Sequence, residues 1–338
     1  MNTLATFTAL LLVGLASTKP TTNDHTLDIN EAFFPEAFVI YRGKKDITNI
    51  VVPVNSINFD YTVDEDAPID LDEINLEDIY VFFIEEGKGL FVLQNKQATK
   101  LLENGNDISA SSDESKEVYF AASDGIYRFN EQEKKAEKYG TVTDNTIAIA
   151  VINGTNDFYI LTAENVVYKV TNDGTRKEKI TNVKNAQQIV LDSANNLYFV
   201  NNKKHVYVRL AEDGTVKRIK GLPAHPSDVQ LLRPPFVVEE AVPVVAGKKT
   251  YLAYANGTSE IADIILDTKP SAISVEMAVV LFAGHNNKIY RYYLLPIILS
   301  EMEKEELSDN MKEVKSFFSD QTTNIQSVAT RSRSRFRA

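Results

Sequence analysis

Short apolar runs rich in aromatic and β-branched residues recur along most of the chain, and they come in pairs that flank a short polar break. The clearest pairs are DFYILTAENVVYKV (157–170) and NLYFVNNKKHVYVRL (196–210), in which two tyrosines lie nine residues apart. Similar pairs occupy 79–93, 118–129 and 280–293. Runs of this composition around a short polar turn are typical of β-hairpins.

Each hairpin is flanked by two further short runs. Leading runs start at residues 56, 107, 146, 186, 228 and 271, which are spaced 39 to 51 residues apart. Following runs lie at 98–102, 136–140, 176–180, 215–219 and 260–266. Four short strands that repeat at about 40 residues are the signature of a β-propeller blade. The sequence therefore predicts an all-β, six-bladed β-propeller.

The third and fourth strands of three blades are joined by nearly the same short sequence. It reads TNDGTRKEKI at 171–180, AEDGTVKRIK at 211–220 and YANGTSEIAD at 254–263. Glycine, and to a lesser degree asparagine and aspartate, adopts positive φ at little cost. The pattern predicts a tight turn at this point of each blade.

Blade six lacks a fourth run, because its apolar pattern breaks off after the third strand near Tyr293. AFVIYRG (37–43), close to the other end of the chain, resembles the outer strands in composition. We predict that it pairs with blade six and closes the ring, which leaves only short strand edges. Two blades deviate: blade one has an insertion at 62–78, and blade five has a proline-containing segment at 233–245 that makes strand assignment difficult.

The chain divides into four predicted parts. Residues 1–16 have no charged side chain, are largely apolar and have small residues just before a predicted cleavage site after Ala16. This pattern indicates a secretory signal peptide. An N-terminal extension (17–36) precedes the propeller (37–295), and the tail (296–338) is predicted to form a short amphipathic helix and a basic, disordered end. A secreted, extracellular protein is expected. Asn153 and Asn256 lie in glycosylation sequons.

Composition and charge exclude several classes of function. The chain has no cysteine, so disulfides and thiol chemistry are excluded. Its net charge of −11 disfavours a nucleic-acid partner. The insertion at 62–78 holds eight acidic residues and no basic one. This insertion is a solvated loop, a weak calcium site or a surface for a protein partner. No segment after the signal peptide is apolar enough for membrane insertion.

The search for catalytic chemistry finds no motif. The four histidines lack metal-ligand spacing, and no nucleophile elbow or phosphate-binding loop is present, so we predict no catalytic residue, metal or cofactor. Small polar residues do lie at or near the starts of the leading strands, where they would line one mouth of the central channel: Ser56, Asp107, Asn145, Asn185, Asp228 and Ser271. Such residues either bind a ligand or only stabilise the turns that lead into the strands.

The stretch AQQIVLDSANNLYFVNNKKHVYVRLAEDGT (186–215) resembles the blades of NHL-type and gluconolactonase-like propellers. The lactonase resemblance implies a divalent metal held by a glutamate, two asparagines and an aspartate around the channel. Asn145, Asn185 and Asp228 would be the retained partners, but the first leading run, SINFDYT, lacks the glutamate. A metal-dependent lactonase or esterase is therefore the alternative hypothesis.

The segment AFVIYRGKKDITNIVVPVNSINFDYT (37–62) and the blades around NLYFV and VYFAASDGIYRFN resemble the ommochrome-binding proteins of insect haemolymph. This resemblance implies a carrier of a tryptophan-derived pigment, which is a small planar aromatic ligand with polar edges. Such a carrier needs no catalytic base. The first hypothesis is thus an extracellular, non-enzymatic binding protein with its ligand at the channel mouth.

Overall fold

The computed structural model describes residues 27–53, 76, 79–111, 117–234, 241–276 and 280–293. In these residues the chain forms six antiparallel four-stranded sheets, one of which gains a fifth, parallel strand. Hydrophobic side chains pack between each sheet and the next around a ring, so the predicted six-bladed β-propeller is confirmed. The predicted signal peptide (1–16) and the tail (296–338) lie outside the described residues.

The chain begins with β1 (Leu27–Ile29), two short 3-10 turns (Glu31–Phe33 and Glu36–Phe38) and β2 (Val39–Arg42). Blade one comprises β3 (Ile47–Val51), β4 (Val81–Glu85), β5 (Gly89–Gln94) and β6 (Gln97–Leu102). Blade two comprises β7 (Gly105–Ala110), β8 (Val118–Ala122), β9 (Gly125–Asn130) and β10 (Lys135–Lys138). Blade three comprises β11 (Thr146–Val151), β12 (Phe158–Thr162), β13 (Val167–Thr171) and β14 (Arg176–Lys179).

The other three blades follow the same order from the channel outward. Blade four comprises β15 (Ala186–Leu191), β16 (Leu197–Asn201), β17 (Val206–Arg209) and β18 (Val216–Arg218). Blade five comprises β19 (Val229–Leu231), β20 (Ala241–Ala246), β21 (Lys249–Tyr254) and β22 (Ser259–Leu266). Blade six comprises β23 (Ala272–Glu276), β24 (Val280–His285) and β25 (Lys288–Tyr293), with β2 as its outermost strand.

The innermost strand of blade one is not the run at 56–61 that the sequence pattern indicated. The strand that pairs with β4 is β3, in a register that runs from Ile47 opposite Glu85 to Val51 opposite Phe82. Ile47 and Ile50 are buried, so this short segment supplies the core positions of the blade. Residues 56–61 lie outside the described residues. The acidic insertion still falls between the first and second strands, although only Leu76 of it is described.

Hydrophobic packing between neighbouring blades forms the core. The second strand of each blade is buried on both faces, and alternate side chains point to opposite neighbours. In β4, Phe83 packs towards blade six and Phe82 towards blade two. In β12, Ile160 packs towards blade two and Leu161 towards blade four. Because both faces need apolar side chains, these strands read as continuous apolar runs in the sequence.

The Asp/Asn-Gly-Thr turns join the third and fourth strands, as predicted, and their glycines have positive φ. Each turn also contacts the preceding blade through the glycine carbonyl oxygen. Gly174 O accepts from Thr141 N at 2.9 Å, and Gly257 O accepts from Lys220 N at 2.8 Å. Gly214 O accepts from Asn182 Nδ2 at 2.7 Å. The repeated turn therefore has two roles, which are chain reversal and attachment to the neighbouring blade.

The ring closes through the N-terminal strand, which confirms the prediction for AFVIYRG. In the antiparallel pairing of β2 with β25, Val39 lies opposite Tyr290 and Arg42 opposite Lys288. The loop that follows β2 wraps around Glu85, whose carboxylate accepts from the backbone nitrogens of Lys44 (2.7 Å) and Lys45 (3.0 Å). These contacts join blade six to blade one.

The N-terminal extension contains structure that the sequence pattern did not indicate. β1 pairs in parallel with the last three residues of β22, so blade five has five strands. Phe34 stacks on His285 with ring centroids 4.1 Å apart, and Phe33 stacks on Tyr292 at 4.8 Å. The segment therefore lies across blades five and six.

The outer edges of the ring are protected in two ways. The outermost strands of blades two to four carry lysine and arginine, and all four residues of β14 (RKEK) are exposed. Charged side chains on a sheet edge disfavour pairing with another chain. The last three residues of β22 in blade five (264–266) are apolar instead, and β1 pairs with them.

We predict that Gly174→Ala destabilises the protein more than Gly247→Ala does. Both glycines have positive φ, which costs an L-residue about 1–2 kcal/mol. A Cβ at Gly247 would meet nothing within 4 Å, whereas one at Gly174 would lie 2.9 Å from the Cα of Gly140. The backbone of the preceding blade must then shift, which adds about 1–3 kcal/mol. Urea unfolding of the two variants measures the difference, and equal losses of stability would contradict the close contact between the blades.

Candidate functional site

One polar residue precedes the innermost strand of every blade and, because these strands surround the channel, lies at one mouth of it. We name this set the mouth ring: Asp46, Asn104, Asn145, Asn185, Asp228 and Ser271. In blades one to five the backbone carbonyl of the ring residue accepts from the first residue after the second strand, at 2.9 to 3.4 Å. In blade six Ser271 N donates to Gly284 O at 2.8 Å. A backbone hydrogen bond of the ring residue thus joins the start of the first strand to the end of the second strand in every blade.

Four of the six residues that the sequence indicated belong to the mouth ring: Asn145, Asn185, Asp228 and Ser271. Asp107 lies deeper, because the innermost strand of blade two begins at Gly105 and its ring residue is Asn104. Ser56 lies outside the described residues, and Asp46 occupies the ring position of blade one. The register therefore differs from the sequence alignment in blades one and two.

The ring side chains differ in how they are bonded. In the described part of the chain, the exposed side chains of Asp46, Asn145 and Asn185 make no hydrogen bond or ion pair. The buried hydroxyl of Ser271 also has no hydrogen-bond partner among the described residues. Asp228 instead pairs with Lys269, and this hydrogen bond lowers the pKa of its carboxyl. The mouth therefore offers exposed amide and carboxylate groups that have no partner among the described residues.

Deeper in the channel than the mouth ring, polar side chains form hydrogen bonds with the backbone N–H and C=O groups at the edges of the innermost strands. Asp107 Oδ2 accepts from Ile149 N of the next blade at 2.8 Å. Gln188 both accepts from Leu231 N (2.8 Å) and donates to Val229 O (3.1 Å). These strands have no backbone partner on the channel side, so the side chains replace the missing ladder bonds.

An arginine crosses the channel. Arg233 follows β19 of blade five, and its Nη2 donates to both oxygens of Asp107 in blade two, each at 3.0 Å. The two residues are 126 positions apart, and in a ring of six blades, blades two and five face each other. Nη2 also lies 3.3 Å from Ile149 O of blade three. The sequence pattern did not indicate Arg233, because an ion pair across a ring has no local signature.

The carboxylate of Asp107 is fully used by the protein. Asn49 Nδ2, Ile149 N and Arg233 Nη2 all donate to it, and its side chain is only 12% exposed. Among the described residues no group of three histidines or acids is arranged to hold a metal. Asp228, the acid implied by the lactonase resemblance, is paired with Lys269. The residues around the channel thus do not fit the metal cage that the resemblance implied.

The two sequons lie in different environments. Asn153 is partly buried, and its Nδ2 donates to Ser193 O at 3.0 Å. Asn256 is exposed in the turn between β21 and β22, and its Oδ1 accepts from Thr258 N (2.9 Å) and Oγ1 (2.7 Å). Glycosylation at either position stays a prediction.

Comparison with solved structures finds β-propeller proteins. A Bacteroides thetaiotaomicron protein of unknown function is similar with a TM-score of 0.50 and 12% identity, over 75% of this chain and 70% of that chain. A candidate gluconolactonase gives a TM-score of 0.49 and 11% identity, over 75% of this chain and 90% of that one. At these identities the likeness shows the fold alone.

Extracellular propeller domains occur among the similar structures. One is from a candidate one-component system of B. thetaiotaomicron, with a TM-score of 0.47 and 9% identity, over 78% of this chain. The match covers 42% of that solved chain. No protein family and no curated protein matches the sequence.

In the described part of the chain, no helix has the length and apolar character needed to cross a membrane.

We predict that Asp107 and Arg233 are energetically coupled. Asp107→Asn and Arg233→Met should each lower the free energy of unfolding by about 1–3 kcal/mol, because each leaves its partner without its counter-charge. The double variant should lose about 1–2 kcal/mol less than the sum. The matched control is Asp228→Asn with Lys269→Met, whose carboxylate is 55% exposed and whose coupling should stay below about 1 kcal/mol. Equal coupling in the two cycles, measured by urea unfolding, would contradict the channel contact.

Proposed function

We propose that this protein is an extracellular, non-enzymatic binding propeller that carries a small planar aromatic ligand at the mouth of its channel. The observation that carries the proposal is the mouth ring, where the fold uses the backbone of each residue and leaves several side chains without a partner among the described residues. Small-molecule sites are concave and contain a few polar groups that fix the orientation of the ligand. A ring of such groups around a channel has this character.

The chemistry of the ring suits a ligand with polar edges. The amides of Asn145 and Asn185 each provide donors and an acceptor, and the carboxylate of Asp46 provides further acceptors. These side chains come from blades three, four and one, so they approach a ligand from different directions. An ommochrome, with heteroatoms around a flat ring system, is the ligand that the sequence resemblance suggests.

Binding is favoured over hydrolysis because two acids near the channel are already paired, and Asp46 is the one acid of the mouth ring whose side chain has no partner among the described residues. Asp107 is bonded to Arg233, and Asp228 is bonded to Lys269. A carboxylate held in an ion pair is a poor general base and has few lone pairs left for a metal. The carrier role needs neither function. Secretion of the protein, which the first 16 residues predict, would place the carrier outside the cell.

The direct test is to purify the secreted protein, record its visible spectrum and titrate it with an ommochrome. We expect a bound pigment or a saturable spectral shift. A colourless protein that binds no ommochrome would contradict the pigment-carrier proposal. Stoichiometric calcium or zinc that is lost in Asn185→Ala and Asp228→Ala would instead favour the lactonase alternative.

A substitution pair locates the site. Asn145→Ala removes an exposed, unbonded side chain from the mouth ring and keeps the backbone carbonyl that bonds Ala163 N. We expect ommochrome affinity to fall about threefold to tenfold, the usual effect of one lost hydrogen bond. The matched control is Asn156→Ala, an exposed residue between β11 and β12 at the opposite end of the same strands, which should leave affinity unchanged. Equal effects of the two variants would place the ligand elsewhere.

A further inference from the structure

Arg233 has hydrogen-bonding capacity that the protein does not use. A guanidinium has five N–H donors, on Nε, Nη1 and Nη2. Every contact of Arg233 within the described residues is made by Nη2, which bonds the two oxygens of Asp107 and lies near Ile149 O. The three N–H groups on Nε and Nη1 therefore have no hydrogen-bond partner among the described residues. The side chain is 33% exposed, so solvent and small molecules reach part of it.

The charge of Arg233 is only partly compensated. Asp107 is its one acidic partner among the described residues, and that carboxylate also accepts from Asn49 Nδ2 and Ile149 N. These two neutral donors compete with Arg233 for the lone pairs of the Asp107 carboxylate. A guanidinium in a partly enclosed channel then retains positive potential towards its open edge, and this potential is screened less than at the open surface.

The position of the guanidinium relates it to the mouth ring. Asp107 is the third residue of β7, which places its Cα roughly 7 Å along the strand from Gly105. When the polar edge of a ligand is held at the mouth ring, a group of that ligand that points into the channel can thus reach the guanidinium of Arg233. A carboxylate that accepts from a guanidinium N–H forms a charge-assisted hydrogen bond, which is stronger than one between neutral groups.

We propose that Arg233 binds the carboxylate of a small ligand in the channel, through Nη1. The ligand class is an aromatic molecule that bears a carboxylate. This inference rests on the proposed binding site at the channel mouth and adds the anchoring group that selects among aromatic ligands. Asp107 then acts as a positioning residue, which holds the guanidinium across the channel and also competes with the ligand for it.

The test uses 4-fluorobenzoate and its neutral amide, 4-fluorobenzamide, with ¹⁹F NMR of the probe in the presence of the full chain. We expect saturable broadening with the carboxylate and binding at least about tenfold weaker with the amide. Arg233→Gln should abolish the difference between the probes. Arg218→Gln, which removes an exposed guanidinium from β18 on the outside of blade four, is the matched control and should change nothing.

Asp107→Asn distinguishes this proposal from a purely structural role of the ion pair. Arg233 persists in this variant while its competitor loses its charge, so we expect 4-fluorobenzoate to bind several-fold more tightly. A gain in affinity cannot result from partial unfolding. Absence of carboxylate binding in both the natural chain and Asp107→Asn overturns the proposal, and so does binding that survives Arg233→Gln.

The result of the 4-fluorobenzoate experiment can be distinguished from the result of the ommochrome titration. Pigment binding without 4-fluorobenzoate binding would overturn the arginine site and leave the carrier function intact. Binding of 4-fluorobenzoate through Arg233 without any pigment binding would support the site and show that the pigment is the wrong ligand.

Discussion

Closure of the ring by β2 against β25 is the constraint on which the rest of the structure depends. The chain contains no cysteine, so the two ends of the propeller are joined only by noncovalent contacts. The buried carboxylate of Glu85 accepts from Tyr41 Oη at 3.0 Å as well as from the loop backbone. Burial and this carboxylate raise the pKa of Tyr41 to about 12, so the phenol stays a hydrogen-bond donor at neutral pH. Opposition of blades two and five across the channel follows from this closure, and with it the contact between Asp107 and Arg233.

Much of the architecture is predictable from the sequence because each blade buries both faces of its second strand. That requirement produces long apolar runs such as VFFIE and FYILT, and their period gives the number of blades. The positive φ of Gly174 is likewise readable from the Asp-Gly-Thr pattern. The position of β3 was missed because a 29-residue connection separates it from β4, and the run at 56–61 has a similar composition.

The candidate site was only partly predictable for a different physical reason. Polar residues before strands mark the mouth ring in four blades, but the innermost strand of blade two begins at Gly105, two residues before the run that the sequence pattern indicated. Asp107 consequently bonds the edge of the next blade and does not reach the mouth. The contact with Arg233 is long-range, and the prolines around it conceal its strand. What the channel binds thus depends on residues that meet only after the ring has closed.

Ring closure is tested most directly by a cross-link in the pair Arg42→Cys and Lys288→Cys, in a chain that has no other cysteine. These positions are direct partners in an antiparallel sheet, where Cα atoms lie about 4.5–5.5 Å apart, within the range of a disulfide. Mild oxidation should form the bond almost completely, detected as a loss of two mass units. The control pair Arg42→Cys and Lys249→Cys, with the second cysteine at the matching start of β21 in blade five, should remain reduced. Failure of the first pair to cross-link, or equal cross-linking of both, would contradict closure between β2 and blade six.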